Sequence, residues 1–313
     1  MKVFITGATG VLGLTVTRRL VSQGIKVVAL SRSSANSDLL QREKAEVKEG
    51  DLFNQDDMTK ATRGCDAILH LATSIPRKSL SKLSDWQTND RIRVEGTKNL
   101  LNAALANGIE LFLCESITAV YGQQNGNLVT TTTPLPSQQV AMVKSAVEME
   151  KLITGKLPGK YIIFRFANFY SENDFFTNTL LENVVKGRMP ILGSGNFYMN
   201  WIHVKDAADS IVYALINIEK LKGSTINVTD HHPLLYIDMI KHISFATTKK
   251  KPYTLPYFFA KLVLGKNNFA FLTNSYRVKE EPLLAGWQPQ HKDFITGITH
   301  IINETINLST KSN

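Results

Sequence analysis

The stretch KVFITGATGVLG, residues 2–13, constrains this chain more than any other. KVFIT (2–6) has the short apolar run of a buried strand, and a helix is predicted over 11–22, leaving only a glycine-rich turn between them. Gly7, Gly10 and Gly13 mark that turn with the spacing G-x-x-G-x-x-G. Glycines here let a pyrophosphate approach the backbone, with its charge over the first amides of the helix. Gly7, Thr9, Gly10, Val11, Leu12 and Gly13 are therefore the expected phosphate-binding residues. Spacing alone is a weak signal; the strand–turn–helix–strand context is what gives it meaning.

The alternation continues. Strands are predicted at 26–30, 45–50, 66–72, 110–116 and 161–166, with a helix over 92–107 and another over 138–154. Alternating strands and helices imply parallel strands joined by right-handed crossovers, hence an α/β doubly wound parallel sheet. After Phe166 the rhythm breaks into loops rich in Phe, Tyr, Asn and Gly, with helices at about 175–187 and 204–217. The expected division is a dinucleotide-binding domain over 1–166 and a smaller substrate lobe over 167–313, partly interleaved with the first.

The second strand ends in LSRSS, where NAD-preferring proteins place an acid for the ribose hydroxyls. Ser31, Arg32 and Ser33 offer hydroxyls and a guanidinium instead, groups that bind a 2′-phosphate. NADP(H) is the expected cofactor.

Composition narrows the remaining classes. The 313 residues are 43% hydrophobic, ample for a large core, and no apolar run reaches the ~20 residues of a membrane span. MKVFITG lacks a signal-peptide layout, and Cys65 and Cys114 are the only cysteines, so a cytoplasmic location without disulfides is expected. The net charge is +9, densest at Lys249–Lys250–Lys251, but no nucleic-acid motif accompanies it. Expected partners are a small-molecule substrate, with no nucleic acid and no membrane. The seven histidines show no metal spacing, and no Ser-His-Asp arrangement is visible.

These motifs resemble the extended short-chain dehydrogenases/reductases, the NAD-dependent epimerase/dehydratase group. The resemblance runs through TGATGVLG, GDL (50–52), LHLA (69–72), EGTKNLLNAA (95–104), VYG (120–122), VKSAVE (143–148), RFANFY (165–170), NWIHVKDAAD (200–209) and LLAGWQP (283–289). It implies adenine contacts at Asp51 and Leu52, cofactor contacts along Ala72–Thr73, and passage of Asn168 beside the nicotinamide. It also implies a role for Lys144: the family's lysine here binds the nicotinamide ribose and lowers the pKa of a tyrosine four residues earlier. A homodimer through the two long helices is implied only by this same resemblance.

That tyrosine is missing. Its position is Val140; the family's hydroxyl residue, four before the tyrosine of VYG, is Ile117; and Arg93 stands where asparagine is usual. Tyr121, Ser116 and Thr118 are the nearest candidate proton donors, although side chains flanking position 117 in an extended segment point the other way. Lys144 itself reads either as a snorkelling surface lysine or as a ligand-directed one. Three readings stay open: an oxidoreductase with a relocated acid, a non-catalytic NADP(H)-binding regulator, and a non-redox isomerase or lyase. Met199 occupies the place of the family's diphosphate-binding arginine, among Phe169, Tyr170, Phe175, Phe176, Phe197, Tyr198 and Trp201. Together these point to an apolar or aromatic substrate, with His203 and Asp206 structural.

Overall fold

Apolar runs at the centre of the first half assemble into one parallel sheet buried on both faces. The computed structural model describes residues 1–78, 80–172, 174–279 and 284–311. Leu283, the first residue of LLAGWQP, lies outside the described residues.

The chain forms β1 (Lys2–Thr6), α1 (Val11–Ser22), β2 (Lys26–Ser31), α2 (Ser34–Arg42), β3 (Glu46–Glu49), α3 (Gln55–Ala61) and β4 (Ala67–His70). It continues through α4 (Gln87–Arg91), α5 (Thr97–Ala106), β5 (Phe112–Ile117), β6 (Leu128–Val129), α6 (Lys144–Lys156), β7 (Tyr161–Phe166) and β8 (Asn168–Tyr170). Next come α7 (Phe175–Val185), β9 (Ile191–Leu192), β10 (Tyr198–Met199), β11 (Trp201–His203), α8 (Val204–Ile216), α9 (Ile218–Leu221), β12 (Ser224–Val228) and β13 (Leu234–Leu235). The remainder is α10 (Tyr236–Thr248), β14 (Thr254–Leu255), α11 (Tyr257–Leu272), β15 (Arg277–Val278) and α12 (Phe294–Lys311).

The main sheet has seven strands in the order β12-β7-β5-β4-β1-β2-β3, all parallel. The order reverses between β1 and β4, so a crevice opens at their carboxyl ends, where ligands bind in such folds. Alternation along each strand sends one set of side chains to each face. Val3, Ile5, Leu69, Leu113 and Phe164 meet α1 and α8 on one side. Phe4, Ile68, Phe112, Cys114 and Ile163 meet α5 and α6 on the other.

Three expectations need correction. The strand at 224–228 was not predicted, because Asn227 interrupts its apolar pattern; that asparagine is buried and hydrogen-bonded, as described below. The helix expected from 92 begins at Gln87 and passes through a π-helical turn, Ile92–Gly96, before α5. The helix expected from 138 starts at Lys144, after a 3-10 turn at Ala141–Val143. Upstream, the Gln139 amide donates to the carbonyls of Val120 and Pro136, and Val140 is extended at φ −58°, ψ 138°. Val140 and Lys144 are therefore not stacked by one turn of α-helix.

Candidate active site

The glycine turn is built so that no side chain fits. A Cβ on Gly7, which has φ +76°, would lie 2.6 Å from the backbone of Leu71 and Ala72; one on Gly13 would lie 2.0 Å from the Gly7 carbonyl oxygen. The turn thus packs directly on the chain leaving β4, which brings the Ala72–Thr73 segment beside Gly7. The Gly10 amide donates to the Gly7 carbonyl and Gly10 caps α1 without a side-chain hydrogen bond. The first turn of α1 carries no acid. Its leading amides are left to whatever anion lies there. Thr9, Gly10 and Val11 border this opening, whereas Leu12 is buried and anchors the helix to the core.

At the ends of β2 and β3, Ser31, Arg32, Ser33, Glu49, Asp51 and Phe53 line a recess of about 550 Å³. Arg32 is exposed. Ser31 is buried, its hydroxyl donating to the Ser33 carbonyl and accepting from Ser37. Ser33 caps α2 through the Asn36 amide. Asp51 accepts from the Phe53 amide, and buried Leu52 packs under Gly96. Glu49 pairs with Ser31 across the strands, a carboxylate that the sequence argument overlooked. The residues present fit a dinucleotide: a phosphate-accepting helix start that a Cβ would fill, and a recess for the adenosine end.

The sequence-predicted proton donors are not in this crevice. Ser116, Arg165 and Asn227 are neighbours across β5, β7 and β12. Arg165 grips Glu150 of α6 through Nε at 3.0 Å and Nη2 at 2.6 Å, while Ser116 donates to the same carboxylate at 2.6 Å. Arg165 Nη1 donates to the Tyr121 hydroxyl at 3.0 Å, which donates to Asn227 Oδ1 at 2.8 Å. Thr118 bonds to the Tyr276 hydroxyl at 3.0 Å. Ser116 and Tyr121 have no exposed surface. Burial raises the pKa of Tyr121 and the Arg165 charge offsets this only partly, the opposite of what a phenolic acid/base requires. The expectation that Tyr121, Ser116 or Thr118 faces a substrate is corrected accordingly: their hydroxyls are spent on a sealed polar network.

Glu115 behaves differently. It alternates with Ser116 along β5, so it does not share that residue's face. It lies at the carboxyl end of the strand, is 8% exposed, and its carboxyl makes no hydrogen bond to any described residue. Burial pushes its pKa up to about 7 against the opposing charge of Arg93. Arg93 is itself buried, with Nε and Nη1 free of hydrogen-bond partners among the described residues. A carboxylate inside the apolar strand ELFLCES was the available signal for Glu115.

Lys144 is exposed at the start of α6, which agrees with a surface lysine and leaves its ammonium free for a ligand. Asn168 is exposed at the end of the sheet, its amide donating to the Asn200 carbonyl. Its neighbour Phe169 opens a second space, an apolar cavity of about 590 Å³. Tyr170, Phe175, Phe176, Met199 and Trp201 line it too, joined by Tyr236 and Phe294. Phe197 and Tyr198 instead border a separate groove. Asp206 holds the amides of Gln290 and His291, and His203 stacks on His291 at 3.6 Å, tying down the segment before α12. No group of three metal-ligating side chains occurs among the described residues.

Residues 3–229 match the NAD dependent epimerase/dehydratase family. A 3-diazoavenalumate denitrifying reductase from a Streptomyces species is 24% identical over 95% of this chain and 99% of its own. A decarboxylating sterol-4-alpha-carboxylate 3-dehydrogenase of Dictyostelium discoideum is 27% identical over 75% of this chain and 73% of its own. The fold of a Thermotoga maritima UDP-glucose 4-epimerase solved with UDP-glucose superposes with a TM-score of 0.76, at 17% identity, over 99% of this chain and 100% of that one.

Proposed function

We propose that this chain, which belongs to the NAD dependent epimerase/dehydratase family, is an NADP(H)-dependent oxidoreductase acting on an apolar carbonyl or hydroxyl compound. The observation that carries the substrate class is the apolar cavity beginning at Phe169. Met199, in its wall, cannot neutralise a diphosphate. The two relatives named above carry reductase and dehydrogenase names, which favours redox chemistry over the scaffold and lyase readings.

The glycine turn and α1 would hold the pyrophosphate, Asp51 and Leu52 the adenine side, and Lys144 the nicotinamide ribose. A bound nicotinamide supplies or accepts hydride at the carbon of the C=O or C–OH group. Glu115 is the relocated acid in place of Tyr121: its carboxyl gives a proton to the carbonyl oxygen in reduction and takes one from the hydroxyl in oxidation. Phe169 and the aromatic wall exclude water and orient the apolar body of the substrate.

Absorbance at 340 nm with NADPH and a panel of aryl and alkyl ketones, alongside nucleotide sugars, tests this reading. Turnover on apolar ketones and none on nucleotide sugars is expected; the reverse pattern overturns it. Tight NADPH binding with no turnover on any compound would hand the lead to a non-catalytic regulator.

Cofactor choice is tested separately by calorimetry. NADPH should bind more tightly than NADH by about 1.5–3 kcal/mol, the range for hydrogen bonds to a charged group. Arg32→Ala should remove most of that margin, and Glu49→Gln should widen it by removing a carboxylate that repels a 2′-phosphate. Equal affinity of the unmodified protein for both cofactors would end the NADP(H) assignment.

A further inference from the structure

Between Asp238 and Glu280 the chain carries eight lysines and arginines and no carboxylate. The middle of this run is α11, broken at Gly265, where φ is +73°. In its first half Ala260 is buried, while Phe258 is 75% and Leu262 72% exposed, with Phe259 and Val263 exposed beside them. These four recur at i, i+1, i+4 and i+5, one continuous face of the helix. Exposed apolar side chains in such a group mark an interaction surface.

Lysines accompany this face. Lys261 and Lys266 lie on α11 itself, and Lys249, Lys250 and Lys251 precede it in the chain, after α10; all five are exposed. The apolar face is also continuous with the mouth of the cavity. Val263, Leu272, Tyr253, Phe175 and Phe176 line the cavity and are each exposed as well. Arg77, over the ring of Phe175, stands at the same mouth.

We infer that this face docks on the surface of a membrane containing anionic phospholipid, and that the cavity opens towards the acyl region. Apolar side chains enter the boundary between headgroups and chains while lysines on the rim meet the phosphates. Over this stretch of chain the charges are of one sign, which complements the phosphates of an anionic bilayer. No described helix is long and apolar enough to cross a membrane, so the contact is interfacial. This revises the expectation of no membrane partner. It does not rest on the redox reading: a chain inert towards every ketone would still bind.

The test is flotation of the full chain with phosphatidylcholine vesicles, with and without phosphatidylglycerol. Binding should require the anionic lipid and weaken as salt shortens the screening length. Phe258→Glu with Leu262→Glu should lower vesicle partitioning at least tenfold. Each of Lys249→Gln, Lys250→Gln and Lys251→Gln should lower it by about fivefold where that lysine reaches the surface. All five positions are exposed, so NADPH affinity and the circular dichroism spectrum should be unchanged, which separates lost docking from lost folding. Absence of flotation at low salt overturns the inference, as does flotation indifferent to these variants. Sedimentation showing that Phe258→Glu with Leu262→Glu splits a dimer, without vesicle binding by the unmodified chain, would make the face a self-association surface instead.

Discussion

Glu115→Gln is expected to lower turnover by about a hundred- to ten-thousand-fold, the usual cost of removing a positioned acid/base. The amide is nearly isosteric and neutral, as the protonated carboxyl is, so NADPH affinity should be kept and stability should not fall. The pH dependence gives a second readout. With its carboxyl at about 7, Glu115 is protonated below that pH and ionised above it. Ketone reduction needs the protonated form, so its rate should be flat at low pH and decline above about pH 7. Alcohol oxidation needs the ionised form and should rise through the same range. Glu115→Gln should erase both profiles. Turnover retained within a few-fold, with the pH profile intact, would place the proton donor elsewhere.

Arg165→Met is expected to destabilise the fold by about 3–5 kcal/mol, because it strands a buried carboxylate without its partner. Glu150 is 7% and Arg165 8% exposed at the side chain, and the pair is bidentate. Adding Glu150→Leu to Arg165→Met should recover much of the loss, since replacing a whole buried pair by apolar groups is often close to neutral. Tyr121→Phe leaves Asn227 Oδ1 without the bond it receives, and should cost about 1–3 kcal/mol. Urea unfolding of the four proteins measures all of this. If Tyr121→Phe instead left stability untouched and abolished turnover, Tyr121 rather than Glu115 would be the acid.

Much of the candidate dinucleotide site was legible because its signals are local. A glycine with positive φ, a strand before it and a helix after it lie within a dozen residues, and backbone sterics alone select that order. Arg32 could be named as a candidate from its place just past the apolar β2, whereas Asp51 follows the charged β3 and was named only from the family resemblance. Of the six main-sheet strands up to Phe166, five were visible as near-continuous apolar runs, as strands buried on both faces are; the sixth, β3, is a charged and largely exposed edge, and the two-residue β6 was not foreseen.

Groups that meet across the sheet were not legible. Ser116, Glu150, Arg165 and Asn227 stand up to 111 positions apart, and only the register of three parallel strands puts them in contact. The same register explains why Tyr121, the obvious phenol near the missing one, is sealed, and why Glu115 one position from Ser116 escapes the network. By itself, then, the sequence determined the doubly wound sheet and the tight glycine turn after its first strand, because both follow from nearest-neighbour backbone preferences and apolar periodicity. Only the tertiary structure decided which hydroxyls are consumed in the core, which carboxyl is left unbonded at the strand end, and that the aromatic residues after Phe166 divide between an apolar cavity and a separate groove. Those outcomes depend on long-range pairing, where burial turns one-residue alternation into opposite fates.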